Sequence, residues 1–355
     1  MKRKTIGKDT AFNLILTAVV FLILAAVQIF APNSTTIINI IKKTAIYALA
    51  AVSMNLLNGF TGLFSLGQAG FMVLGAYAYT IFTIPLDLHA SVFYKTGGSL
   101  IEICIPTIPA LVIAGLVAAV FAFLIGLPVL RLKSDYLAIA TLGFAEIVRT
   151  IIQSTDLQRL TNGPDPLCNY ATFSSLVPYV LISAVCIILI ILVINSSFGR
   201  AFKAIRDDEI AAEAMGINLA HHKRLSFIIS SFFAGVAGAM LAMYNSTLSA
   251  TTFNSAMTYE ILLIVVIGGI GSISGSILAS FLFIASSEWW LRFLDYETMI
   301  GNFKVPLLRG GFRKVVFSVA IMIIVLFFHK GIMGDREFSW TRLSKKFRKG
   351  GKEGE

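Results

Sequence analysis

Residues 259–294 read YEILLIVVIGGIGSISGSILASFLFIASSEWWLRFL, and the way this stretch divides decides the architecture. It is too long for one apolar helix matched to a bilayer, which takes about 20 residues. Gly268, Gly269, Gly271 and Gly275 interrupt its middle, and glycine is poorly suited to a helix interior. The reading is therefore two segments, Tyr259–Ile270 and Ser276–Leu294, joined at the glycines. The first is short for a full crossing, which predicts a tilted or partly re-entrant piece lined by protein. Gly271 and Gly275 also form a small-xxx-small pair suited to close helix contact.

The rest of the chain repeats this apolar character. Of 355 residues, 57% are hydrophobic and 14% charged, against about 25% charged in ordinary globular domains. Apolar blocks of helix-spanning length lie at Ala11–Phe30, Ile37–Leu57, Leu63–Phe82, Ile103–Leu130, Tyr136–Ile152, Leu176–Ile194, Leu225–Tyr244 and Val315–Phe328. A water-soluble fold has no interior large enough for them, which excludes a soluble enzyme or a free binding module. The basic start Met1–Asp9 leads directly into Ala11–Phe30, longer than the apolar core of a secretion signal, so it reads as an uncleaved first span. The fold class is all-α, a polytopic membrane protein, because helices and closed barrels alone satisfy backbone groups in lipid.

Charge fixes the count. If 259–294 crossed once, nine crossings would export the tail Lys330–Glu355, which carries eight Lys and Arg. Exporting it would violate the retention of cations in the cytoplasm. Two crossings there give about ten transmembrane helices with both termini cytoplasmic. Residues 2–8, 131–133, 200–224 and 330–352 then hold four, two, five and eight of the 29 cations on that side. Lys304, Arg309, Arg313 and Lys314 run against the bias near an outer loop. The organisation is a cytoplasmic start 1–10, a membrane domain 11–329 containing a cytoplasmic loop 196–224, and a basic cytoplasmic tail 330–355. The net charge of +10 is thereby a topology signal and calls for no nucleic acid.

Catalytic chemistry has no foothold. No GxxxxGK[ST] phosphate loop and no HExxH is present, and His221 and His222 are adjacent. Cys104, Cys168 and Cys186 lack metal or disulfide spacing, so no catalytic residue, metal or bound cofactor is expected.

The loop SSFGRAFKAIRDDEIAAEAMGINLAHHKR, residues 196–224, is far longer than a plain helix connector. Ser196 or Ser197 can cap a short helix running to Arg206. Asp207 and Asp208 sit where acids favour a new helix start, and Gly216 sits where a left-handed stop is expected after Met215. Glu209 and Glu213 are like charges four apart, beside the small apolar residues Ala211, Ala214 and Met215. A compact helix of this kind suits a partner's groove, while a solvated loop on the membrane surface would also fit.

The loop closely resembles that of permeases in ATP-binding-cassette importers, in the LivM type for branched-chain amino acids. Ala211-Ala212 and Gly216 keep the importers' Ala-Ala and Gly spacing, whereas Ile210 stands where the general signature has Glu, one residue after Glu209. The longer GRAFKAIRDDEIAAEAMGIN matches the LivM type better, as do NLLNGFTGLFSLGQAGFMVLGAYAYT (55–80), SDYLAIATLGFAEIVR (134–149), LTNGPDPL (160–167), SFIISSFFAGVAGAM (226–240) and YEILLIVVIGGIGSISGSILAS (259–280). Urea-transporting relatives usually carry Arg where this chain has Ile270. The resemblance implies a bacterial or archaeal plasma-membrane permease working with a second related permease, two cytoplasmic ATPases that use ATP, and an external binding protein. It also implies an ATPase-docking set of Arg206, Asp207, Asp208, Glu209, Ala211, Ala212, Glu213, Met215 and Gly216. A urea or short-amide importer is the near alternative, and an ion-coupled carrier acting alone, with the inverted repeats common in such carriers, the distant one.

Within the membrane, glycines at 59, 62, 67, 70 and 75 suit either close helix packing or a broken helix at Gly59–Gly67 lining a pathway. In the second case Ser65 and Gln68 would offer hydrogen bonds to a passing zwitterion. Glu146 and Arg149, i and i+3, form either a structural pair or a gate. Trp289 and Trp290 fit an interfacial aromatic belt.

Overall fold

The computed structural model describes residues 35–290 except 96–97, 102 and 133, with 299–300, 303–304, 319, 322 and 331–332 beyond them. The predicted spans Ala11–Phe30 and Val315–Phe328, the start 1–10 and nearly all of the tail 330–355 lie outside the described residues. The first long helix, α1 (Thr35–Asn55), is buried almost continuously from Ile40 onward and passes into a π turn at Leu56–Phe60. Thr61–Gly67 is not helical, and α2 (Gln68–Thr83) follows. The sequence reading of a span beginning at Leu63 is corrected here: helix resumes only at Gln68. Gly62, at φ +76°, supplies the turn, and Asn58 satisfies the freed backbone by accepting from Ser65 N (3.1 Å).

The chain continues through α3 (Thr107–Val129), α4 (Ser134–Ile152) and α5 (Val177–Asn195). A short pair, α6 (Ser197–Asp207) and α7 (Glu209–Ala214), precedes the longest helix, α8 (Leu219–Asn245). The opening stretch then appears as α9 (Ser255–Gly268) and α10 (Ile273–Ala285), the latter extended by a π turn to Trp290. The break falls at the glycines: Gly269 and Gly271 take φ of +114° and +86°, and the Gly268 and Gly275 backbones touch. Apart from a two-residue antiparallel pairing of Met299–Ile300 with Phe303–Lys304, the described elements are helical.

Four helical stretches are long and apolar enough to cross a membrane, Thr35–Phe60, Thr107–Val129, Val177–Asn195 and Leu219–Asn245, and two bent pairs raise this to six. The bent pairs are Gln68–Thr83 with Leu86–Val92 and Tyr136–Ile152 with Thr155–Thr161. The molecule is thus a multi-pass membrane protein, and among the described residues it is helical apart from that one short pairing. α9 and α10 are shorter apolar helices that form a hairpin packed on α1.

Helix ends sort to two sides. At one, the 84–106, 153–176 and 246–254 segments meet: Leu167 and Leu248 exchange backbone hydrogen bonds, and Leu100 N donates to Arg159 O. Lys95 pairs with Asp165 at 2.5 Å, and this hydrogen-bonded carboxylate holds the ammonium above the usual lysine range. At the other, α6–α7, the 61–67 segment and the 269–272 turn meet, and Ile332 N reaches Ile267 O (2.7 Å).

Small residues set the core. A methyl on Gly75 would land on the Gly235 backbone, and one on Gly238 on Met72 O, so α2 and α8 cross with backbones touching. Outward, α3 carries Ile108, Val112, Leu116 and Val120, and α5 carries Leu181, Val185, Leu189 and Leu192, all exposed. Such apolar stripes belong against lipid or another protein.

Candidate functional site: the elbow and the joint beneath it

Helices α6 and α7 form an elbow. α6 is amphipathic, burying Gly199, Phe202 and Ile205 against the bundle. Ser196 occupies its cap position, but the hydroxyl donates to Val193 O (2.6 Å) and caps nothing in α6. Asp208 is the true cap: extended at φ −161°, it accepts from Ile210 N (2.8 Å) and Ala211 N (3.0 Å) and starts α7. A side-chain cap of this kind is worth about 1 kcal/mol. α7 ends as the sequence indicated, with Met215 at the cap and Gly216 left-handed at φ +83°. Asp207 does not open a helix; it closes α6 and pairs with Arg206 at 2.9 Å. Glu209 is drawn to Lys223 of α8 at 2.6 Å, which separates it electrostatically from Glu213.

The elbow's outer surface differs from the docking set read from sequence. Ile210 and Met215 are both 83% exposed, the most exposed large apolar side chains among the described residues. Ala211, Glu213 and Gly216 are also exposed, whereas Ala212 is only 4% exposed and packs inward. Ala212 therefore belongs to the elbow's own packing. Ile210, noticed in the sequence only as a departure from a motif, belongs to the outer face. Its signal was there: an isoleucine among acids and alanines has no polar reason to be in water.

Arg206 reaches the other way, toward the bundle, with its side chain still 33% exposed. Its Nη1 donates to Gly59 O (3.2 Å) in the π turn and lies against Gly271, while its stem lies against Gly62, where a methyl would meet it at 3.1–3.3 Å. Lys203 sits over the Phe60 ring at 5.5 Å. Directly beneath, the fully buried Asn55 accepts from Gly271 N (2.8 Å) and donates to Ser272 O (2.9 Å) and Ser276 Oγ (2.8 Å). Gly59 and Gly271 touch through their backbones. The elbow, the break after α1 and the hairpin turn thus meet at one joint, which sequence reasoning missed because its partners lie more than 140 residues apart.

The sequence-read pathway residues behave differently. Ser65 is buried and its hydroxyl accepts from Gly67 N (3.3 Å). Gln68, also buried, donates to Ala50 O (3.1 Å) and Ser53 Oγ (2.7 Å), tying α2 to α1. Both of its amide hydrogens are committed, so it holds helices together. Glu146 and Arg149 do form an ion pair (2.7 Å, with Nε also donating at 2.8 Å), partly exposed on α4. They stand apart from the joint. A second polar group lies along α1 and α10, where Lys43 pairs with Glu288 at 2.5 Å. Of the two tryptophans, Trp290 is exposed, in keeping with a belt position.

Comparison with known proteins places this geometry in a family. Residues 36–329 match the family described as branched-chain amino acid transport system / permease component. The chain is 33% identical over 322 residues to the high-affinity branched-chain amino acid transport system permease protein LivM of Escherichia coli K12, covering 81% of this chain and 71% of that protein. It is 22% identical over 336 residues to a probable LivM of Methanocaldococcus jannaschii, covering 85% and 94%. It is also 22% identical over 304 residues to the E. coli K12 permease LivH, covering 82% and 92%. No solved structure matches. With the match running through every described helix, the chain belongs to the branched-chain amino acid transport permease family.

Proposed function

We propose that this chain is the transmembrane permease subunit of an ATP-binding-cassette importer for branched-chain amino acids. It has no phosphate-binding loop of its own, so ATP is used by two separate ATPase subunits. A LivH-like second permease completes the translocation path, and an external binding protein delivers the cargo. The membrane is the plasma membrane, crossed about ten times with both termini in the cytoplasm. The hairpin α9–α10 accounts for two of these crossings.

The observation that carries the reading, beside family membership, is the elbow. Two apolar side chains, Ile210 and Met215, are held in water on a capped, rigid frame. Exposed anchors on a short helix fit a hydrophobic groove in a partner. Asp208, Glu209, Ala211, Glu213 and Gly216 shape that frame and its rim.

The test is reconstitution with the partner subunits in proteoliposomes. ATP-driven accumulation of Leu, Ile and Val over urea is the expected result; accumulation of urea instead would reassign the cargo. A cysteine at Met215 should cross-link to the ATPase in a nucleotide-dependent manner. An intact complex with no such cross-link would remove the elbow from the docking surface.

A further inference from the structure

We infer that Arg206 and Asn55 are positioning residues that carry movement of the elbow to the hairpin turn Gly269–Ser272, making that turn the element that the elbow moves during transport. The inference rests on the importer reading above and adds to it which element moves and through which atoms.

The structure offers a short mechanical chain. α6 buries Phe202 and Ile205 against the bundle, Phe202 beside His222 of α8, and meets the turn after α1 through Lys203 over Phe60. Its last turn reaches further through Arg206, whose guanidinium is shared between Asp207 Oδ1 (2.9 Å) and Gly59 O (3.2 Å). Asp207 lies beside the elbow's bend at Asp208, so a change of angle there is felt by the guanidinium directly. A charge-assisted bond to a backbone carbonyl is strong and directional.

Gly59 in turn touches Gly271, and the Arg206 Nη1 itself lies against Gly271. Asn55, one turn earlier, holds the same hairpin turn by Gly271 N, Ser272 O and Ser276 Oγ. Pulling Gly59 therefore acts on a turn that one buried side chain ties to α1.

The materials of the joint suit motion. The π turn Leu56–Phe60 already departs from α-helical pairing, and such turns concentrate at functional sites. Gly269 and Gly271 adopt positive φ and can change conformation without a Cβ penalty. Ile270 between them is 47% exposed, so one side chain of an otherwise buried turn faces outward. Further up, α1 is fixed by close apolar packing and by Gln68 and Ser230 bonding to Ala50 and Ser53, which resists displacement.

The experiment uses the complete complex in proteoliposomes. It compares wild type with Arg206→Gln, Arg206→Lys and, as a control on the same helix, the exposed Arg200→Gln. Three quantities are read: ATP hydrolysis, amino acid taken up per ATP, and the distance between spin labels at Ile270 and Ala220 with and without trapped nucleotide. In wild type and Arg200→Gln the label distance should shift with nucleotide. In Arg206→Gln hydrolysis should continue while uptake per ATP falls about tenfold, the scale of losing one charge-assisted hydrogen bond, and the shift should vanish. Arg206→Lys, which keeps a cationic donor, should recover part of both.

Unchanged uptake per ATP and an unchanged shift in Arg206→Gln would overturn the proposal. So would a wild-type complex that transports with no shift at Ile270. Failure of both Arg206 variants to assemble would make the residue merely structural and overturn it equally. Absence of ATP-driven uptake in wild type would instead count against the importer reading.

Discussion

Glycine brings backbones together in two regions of this molecule, and the two contacts are built differently. Where α2 crosses α8, Gly75, Gly235 and Gly238 bring main chains into contact beside buried apolar neighbours such as Met72, Ala76 and Val236. Where the end of α1 meets the hairpin turn, Gly59 and Gly271 approach as closely, but Asn55, Ser272 and Ser276 thread hydrogen bonds through the contact. The first contact can only be kept or lost. The second has discrete partners that can be exchanged, and bistable elements of this sort are what switching requires.

The largest effect that would test this contrast is Gly75→Leu. A side chain there meets backbone, which cannot rotate aside, so the bundle should lose more than about 3 kcal/mol, above the usual range for overpacking. Thermal unfolding of the purified protein reads the loss directly. Asn55→Ala comes next. It leaves the buried Gly271 N–H without its side-chain acceptor, at about 1–3 kcal/mol, while Ser272 C=O keeps Ser276 N and Oγ, and should accelerate hydrogen exchange in 269–276 ahead of α2 and α8. Equal acceleration in all three would erase the distinction between the two contacts. The smallest effect is Glu209→Gln. It removes a partly exposed ion pair with Lys223 worth at most about 1 kcal/mol, and so should leave the unfolding temperature nearly unchanged.

Local chemistry was legible in the sequence, and distant pairing was not. The split of 259–294 at its glycines, a helix start at Asp207-Asp208 and the Gly216 stop follow from residues within a few positions of one another, and the structure keeps them with Asp208 alone as the cap. Gln68 shows the opposite case. A glutamine among glycines in an apolar block suggests a polar surface for cargo, and the structure shows its Nε2 donating to Ala50 and Ser53 of the preceding helix. Ala212 lies on the inward face of α7, and a two-turn helix has too few residues for that face to be read from pattern alone. Asn55 carried no signal, since its value comes from a turn that lies more than 200 positions later.

That separation has a consequence in time. Asn55 and Ser272 are 217 positions apart, and at about 5–20 residues per second the ribosome needs on the order of 10–40 s to add the missing partner. Throughout that interval α1 carries a side-chain amide whose final acceptors do not yet exist. The same helix bears Lys42, Lys43, Thr44 and Ser53 and is the least hydropathic of the four long candidate spans. The newborn α1 is therefore a provisional resident of the bilayer, and the synthesis of α9 and α10 is the event that completes it.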